Sequence, residues 1–268
     1  MSFDPLAFYA TYPEKVIGRP GYPARAQYKS TLLWSLYGRR IRGSISSIET
    51  YADIGGCFGF GANAMAYTIA STQERYPQTK VFEISSDFSK IGKMLFPKLE
   101  FIEESFTQWQ GDPLRFDLVS LFDVIEHIPD PEKFLSDVAP RTKFALIKTP
   151  METSGEWRGS RAPALQGEDH VDGHVNFFDP APYMKMLERC GFEIVQWDLV
   201  ADIVPRGIAK SILDPEERLE SLNSKSMTAA RLLRRMVGIP LKFSPRIFRY
   251  TRRMVGGGDH LCLVKSIV

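Results

Sequence analysis

Cysteine is scarce in this chain. The three present, Cys57, Cys190 and Cys262, are far apart and odd in number. This argues against a disulfide framework and a paired-cysteine metal site, and favours a reducing compartment. Long apolar runs are also missing, since no stretch approaches the roughly 18 to 20 residues of a membrane span. The start, Met1-Ser-Phe-Asp-Pro5, lacks a basic segment followed by an apolar one, so the expected location is the cytoplasm. Nor does one sign of charge dominate: 34 Lys and Arg face 32 Asp and Glu, leaving +2. No internal repeat or low-complexity tract stands out. What remains is 268 residues, 44% of them hydrophobic, which suits one large domain or a domain with an embellishment.

Glycine is concentrated where it tells most. Tyr51-Ala-Asp-Ile-Gly-Gly-Cys-Phe-Gly-Phe-Gly-Ala62 runs from a short apolar segment through Asp53 into Gly55, Gly56, Gly59 and Gly61, followed by a helix-forming run to Ala70. A strand, a glycine turn and a helix in that order hold nucleotide-like ligands in α/β sheets. Gly59-x-Gly61-x-x-Ala64 also fits the loose dinucleotide pattern. The acid separates the two readings. A pyrophosphate sits on the positive end of a helix, and a carboxylate at the strand end would repel it. A cofactor with a cationic amino-acid moiety, such as S-adenosylmethionine, tolerates or uses that carboxylate.

Along the chain, Leu32, Leu33, Leu36 and Tyr37 share one face of a leading helix that ends in Arg39-Arg40-Ile-Arg42. We expect this helix to cover the cofactor edge. Strands are expected at Thr50–Ile54, Lys80–Ile84, Leu99–Ile102, Phe116–Leu121, Phe144–Lys148, Phe192–Leu199 and His260–Val268. Asp130-Pro131-Glu132 and Asp179-Pro180 read as helix starts, each with a capping acid and a proline in the first turn. Alternating strands and helices imply a largely parallel, doubly wound α/β sheet. Residues 205–256 differ in character, with twelve Lys and Arg against four Asp and Glu, ending at Gly256-Gly-Gly258. The expected organisation is a core over 1–204 with a helical lead-in, a basic helical insertion over 205–256, and a final strand over 257–268.

With these landmarks placed, the chain resembles the class I S-adenosylmethionine-dependent methyltransferases, small-molecule and sugar O-methyltransferases in particular. The likeness runs from about Thr50 to Leu199 and resumes in the last strand. It rests on the glycine loop, on Glu83 at the end of the second strand, on Phe116-Asp-Leu-Val-Ser-Leu-Phe-Asp-Val-Ile-Glu-His-Ile-Pro-Asp-Pro131, and on His174-Val-Asn-Phe-Phe178 with the helix that closes at Cys190-Gly-Phe192. The resemblance implies a seven-stranded Rossmann-like sheet with an antiparallel final strand. It implies that Glu83 accepts both ribose hydroxyls of the cofactor. It also implies a cofactor site formed by Asp53, Gly55, Gly56, Gly59, Glu83, Ser105, Phe106 and Phe122. Cys57 stands where the family has its middle glycine, and Ser105-Phe106 stands where the family often has an acid near the adenine.

Methyl transfer is an in-line displacement at a sulfonium, to which a protein contributes proximity and, for a hydroxyl acceptor, a base. Asp123, Glu126 and His127 are spaced i, i+3, i+4, which on a helical turn puts them on one side. His170 and His174 follow the fifth strand and face the same ligand edge. In one reading His127, His174 and Glu126 are catalytic, with a histidine as base. In a second, Asp123, Glu126, His127 and His174 bind a divalent metal, which resembles the Glu-x-x-Glu-His element of metal-dependent methyltransferases acting on RNA 3′-ends or ubiquinone precursors. In a third they only shape turns. The expected partner is a small-molecule methyl acceptor. The basic segment keeps a nucleic-acid methyltransferase open, with Phe243, Phe248 and Tyr250 among its charges. A non-catalytic cofactor-binding protein is the further alternative.

Overall fold

The computed structural model describes residues 21–151, 173–200 and 259–268. The basic segment 205–256 and His170 lie outside the described residues. The first helix, α1, is Tyr22–Arg42. Pro23 suits its first turn, and Leu33, Tyr37 and Ile41 recur at helical spacing as its buried stripe. Then follow β1 (Thr50–Ile54), α2 (Phe60–Gln73), β2 (Gln78–Phe82), α3 (Ser86–Leu95), β3 (Glu100–Ile102) and β4 (Phe116–Phe122). The remaining elements are α4 (Pro131–Val138), β5 (Thr142–Pro150), α5 (Pro180–Arg189), β6 (Phe192–Val200) and β7 (Asp259–Ser266).

These seven strands form one sheet in the order β3-β2-β1-β4-β5-β7-β6. The first five are parallel to one another. β7 is antiparallel to both β5 and β6 and lies between them. The expected architecture and antiparallel last strand are therefore what the molecule has. β1 and β4 are buried almost throughout, as parallel strands covered on both faces must be. Side chains alternate between two cores. Ala52 and Ile54 pack with Leu135, Val138, Tyr183 and Leu187 of α4 and α5. Tyr51 packs with Leu33 and Tyr37 of α1 and Ala62, Met65 and Ile69 of α2.

Strand boundaries differ from the sequence reading most at β5, which extends two residues further at each end, and at β2. Pairing of β2 begins two residues earlier, because the Gln78 amide already donates to the Glu49 carbonyl at 2.8 Å. It ends at Phe82, leaving Glu83 just beyond the strand. The expected start of α4 holds in detail: Asp130 Oδ1 accepts the Lys133 amide at 3.0 Å, with Pro131 in the first turn.

Candidate functional site

All five parallel strands end along one edge, and β1 and β2 set the first half of a site there. Asp53 is buried at the end of β1, where Ser120 donates to its Oδ1, and the Tyr51 and Ser120 hydroxyls lie 2.6 Å apart. Burial raises the Asp53 pKa to about 7, although the Ser120 hydrogen bond acts against it. The loop that follows must run close to this carboxylate. A Cβ on Gly56 would lie 2.6 Å from Val81 Cγ1 and 2.8 Å from Asp53 Oδ2, so only glycine fits. Cys57 takes a left-handed backbone, φ 50°, a conformation in which glycine is the usual residue. Its thiol is pushed up to about 12, first by burial, so it stays neutral as a loop filler.

Glu83, also buried, ties the two strand ends together. Its Oε2 accepts the Cys57 amide at 3.0 Å and its Oε1 the Ser85 amide at 2.8 Å. Burial nevertheless raises its pKa to about 7. The start of α1 roofs this loop. Tyr22 packs edge-on against Phe58, with ring centroids 5.8 Å apart, and Phe58 against Phe88 at 4.6 Å. Burial and neighbouring Cys57 push the Tyr22 hydroxyl well above the ordinary tyrosine range. Ser105 is within 3.0 Å of the Thr107 hydroxyl. The buried Phe106 ring packs with the rings of Phe82 and Phe116, and the Arg141 guanidinium lies over it. Phe122, at the end of β4, is half-buried against the α1–α2 core.

The second half of the site lies beyond β4, where the structure divides the expected Asp123–Glu126–His127–His174 group. Asp123 has φ 58°, which turns the chain before the short 3₁₀ turn Ile125–His127 begins. The three residues therefore do not share one α-helical turn. Asp123 instead pairs with Lys29 of α1 and Lys148 of β5, and Lys148 also reaches Asp259 Oδ1 at 2.7 Å. Burial would raise the Asp123 pKa, but Lys148 and Lys29 overcome it and hold the carboxyl far below its ordinary range. Lys148 is correspondingly held above its own, Asp123 and Asp259 outweighing its burial.

Glu126, His127 and His174 do converge. The segment after β5 is pinned onto the 3₁₀ turn: the amides of Val175 and Asn176 donate to the Glu126 carbonyl at 2.9 and 3.0 Å, and Asn176 Nδ2 donates to the Ile128 carbonyl at 2.6 Å. This brings the rings of His127 and His174 to 4.9 Å, at 76°. One ligand atom from each of the three residues lies within 4.8 Å of the others. His127 Nδ1 is 3.2 Å from the Gly173 carbonyl. A carbonyl can only accept, so Nδ1 carries the proton in that contact, and the neutral ring presents Nε2 as its acceptor. That nitrogen is 4.0 Å from Glu126 Oε1. The Glu126 carboxyl is buried, neither oxygen has a hydrogen-bond partner among the described residues, and burial followed by the Asp123 charge raises its pKa well above the usual range. Sequence reasoning missed Tyr22 and Lys29. Neither belongs to a motif, and only the packing of α1 brings them to this edge.

The family described as "Methyltransferase domain" matches residues 53–197. No curated protein matches the chain in sequence. Among solved structures, a candidate sarcosine dimethylglycine methyltransferase from Galdieria sulphuraria superposes with a TM-score of 0.58 at 14% identity, over 88% of this chain and 84% of that one. The plantazolicin methyltransferase BpumL, in complex with SAH, gives 0.56 at 11% identity, over 98% and 93%. The 4+2 cyclase SpnF gives 0.56 at 12% identity, over 90% and 81%. At these identities the likeness is one of fold, and a fold hosts more than one chemistry.

Proposed function

This chain belongs to the methyltransferase-domain family, and from that premise we propose that it transfers a methyl group from S-adenosylmethionine to a hydroxyl of a small molecule or sugar. It is an S-adenosylmethionine-dependent methyltransferase, and the acceptor class is our reading. Glu83 suits the ribose. Its carboxylate offers about four lone-pair positions, two amides occupy two of them, and two remain for two neighbouring hydroxyls. Asp53 and the close-running glycine loop suit the cationic methionyl end. Asp53, Gly55, Gly56, Gly59 and Glu83 form the cofactor cradle in this reading. Ser105 and Phe122 belong to its margin, and Phe106 supports it from within the core.

The observation that carries the acceptor chemistry is the convergence of His127, Glu126 and His174 beside that cradle. The Gly173 carbonyl holds His127 in the tautomer whose Nε2 can take a proton from an acceptor hydroxyl as the methyl group arrives. Proton removal in the transition state contributes roughly 10²- to 10⁴-fold. His174 orients the acceptor across the same opening. The test is release of S-adenosylhomocysteine across a panel of hydroxylated acceptors, repeated with His127→Ala. Turnover on amines or thiols only, or full turnover without His127, overturns the reading.

One observation favours a second reading. Both Glu126 oxygens are buried without a hydrogen-bond partner among the described residues, and two imidazoles stand beside them. Ligands bound at about 2.1 Å to one ion are at most about 4.2 Å apart; Glu126 Oε1 and His127 Nε2, 4.0 Å apart, are within that reach, and the group as a whole, spread over up to 4.8 Å, would draw together on the ion. Glu126, His127 and His174 would hold a divalent metal, which polarises an acceptor oxygen and lowers its pKa. Asp123, committed to two lysines, would stand outside the ligand set. Loss of turnover with chelator and its return with a divalent ion favours this reading, and indifference to chelator removes it.

A further inference from the structure

The methionyl end of S-adenosylmethionine carries a carboxylate as well as its ammonium and sulfonium groups, and the cradle described above is acidic. Asp53, Glu83 and Asp123 all stand at the strand ends. A bound carboxylate there needs a cation, since unscreened like charges a few ångströms apart repel strongly. Among the described residues, Lys148 and Lys29 are two candidate cations at this edge. Lys148 is held on both flanks, by Asp123 and by Asp259, and its side chain is 8% exposed. Lys29 is 21% exposed and pairs with Asp123 on one side.

The position of Lys29 follows from how α1 packs. Ala26, Lys29 and Ser30 are spaced i, i+3, i+4 and share one side of the helix. That side lies directly on the start of α2. A Cβ placed on Gly61 would be 3.2 Å from Ser30 Oγ, 3.6 Å from the Ala26 carbonyl and 3.8 Å from Asp53 Oδ2. This turn of α1 thus overlies Asp53 and the glycine loop, while the Lys29 side chain extends to the end of β4. Its charge acts on Cys57 of the loop and on Glu126 of the acceptor half. Its ammonium is thus within electrostatic reach of both halves of the site.

We propose that Lys29 is a cofactor-binding residue whose ammonium receives the α-carboxylate of S-adenosylmethionine. This rests on the cofactor reading above. An ammonium has three N–H donors, so Lys29 can serve the cofactor while it stays paired to Asp123. The pair then does two things at once: it anchors α1 across the sheet edge, and it aims a positive charge into an acidic cradle.

The test is a binding cycle by calorimetry with S-adenosylmethionine and its decarboxylated analogue, on the wild-type protein and Lys29→Met. For the wild type, removing the carboxylate should raise Kd roughly 10- to 100-fold, the range for a hydrogen bond to a charged group. For K29M the two ligands should bind within about threefold of each other, the non-additivity that marks a direct contact. K29M should bind the decarboxylated analogue as the wild type does, which also reports that the variant is folded. Lys29→Arg should keep most of the preference. Should K29M fail to fold, Lys29→Gln, which can still donate to Asp123, carries the same cycle. If the substitution weakens both ligands equally, Lys29 acts only by tethering α1 and the proposal falls. A wild type indifferent to the carboxylate also overturns it. Failure of the wild type to bind either ligand would instead overturn the cofactor reading itself.

Discussion

Asp53 and Glu83 lie within one cradle, and each has its pKa raised to about 7 by burial. Both bind protons more tightly folded than unfolded. Their contribution to stability in the ligand-free protein is therefore full below about pH 4 and lost as pH rises through about 7. Cofactor binding should run the other way, because ribose hydroxyls need the ionised Glu83 as acceptor. We expect the Kd of S-adenosylhomocysteine to fall between pH 6 and pH 8, and Glu83→Gln to reduce that slope, as calorimetry at several pH values would record. Glu83→Ala should weaken binding by about 1.5 to 3 kcal/mol. His127 is the proposed base in the other half of the site. Its replacement by Ala should lower kcat by roughly 10²- to 10⁴-fold with the Kd of S-adenosylhomocysteine almost unchanged. A matched loss in both quantities would mean that the 3₁₀ turn had collapsed.

Among the elements, α3 and β3 both support the glycine loop, α3 through Phe88 against Phe58 and β3 through Phe101. Phe101 of β3 lies against Gly92 of α3 so closely that a Cβ there would overlap it. A Cβ on Gly59 would be 2.8 Å from the same ring tip, Phe101 Cζ. The ring tip is thus in contact with both a helix and the loop that opens α2. Gly92→Ala should destabilise the fold by about 1 to 3 kcal/mol, as overpacking does, measured by urea unfolding. It should also weaken S-adenosylhomocysteine binding, because the ring tip that the new methyl group displaces is the atom that abuts Gly59. A stability loss with unchanged binding would show that the loop is insulated from β3. For α4, Asp130→Ala removes the acceptor of the Lys133 amide and should cost about 1 kcal/mol, with no effect on cofactor affinity.

At the scale of the whole molecule, the strand ends locate the long connection before β7. Val200 of β6 and Pro150 of β5 both pair with Asp259 of β7. The chain therefore leaves and rejoins the sheet at the edge that carries the glycine loop and the histidines. The two described residues that flank the basic segment 205–256, Val200 and Asp259, both lie at that edge. We propose that this segment acts as a cover of the acceptor half of the site, excluding water and selecting the acceptor. Replacing it with a short linker should leave the Kd of S-adenosylhomocysteine unchanged and abolish or broaden acceptor use. An unchanged kcat/KM for the same acceptor would separate this segment from the site. Loss of a salt-dependent RNA affinity in the same variant would favour the nucleic-acid alternative. No helix among the described residues is long and apolar enough to cross a membrane.

Features set by local chemistry could be read from the sequence alone. The glycine loop after Asp53, the acid after β2, the Asp130-Pro131 helix start and the buried runs of β1 and β4 each depend on a few neighbouring residues and their backbone preferences. Tertiary structure decided what depends on residues distant along the chain. The helical spacing of Asp123, Glu126 and His127 suggested one group, but the left-handed backbone at Asp123 and the pull of Lys29 and Lys148 take its carboxylate elsewhere. His174 reached His127 only because Val175 and Asn176 bond to the Glu126 carbonyl. Lys29 and Tyr22 carry no motif and meet the ligand edge only through the packing of α1. Periodicity says which face of a helix is buried; where its polar ends arrive is settled by what that face packs against.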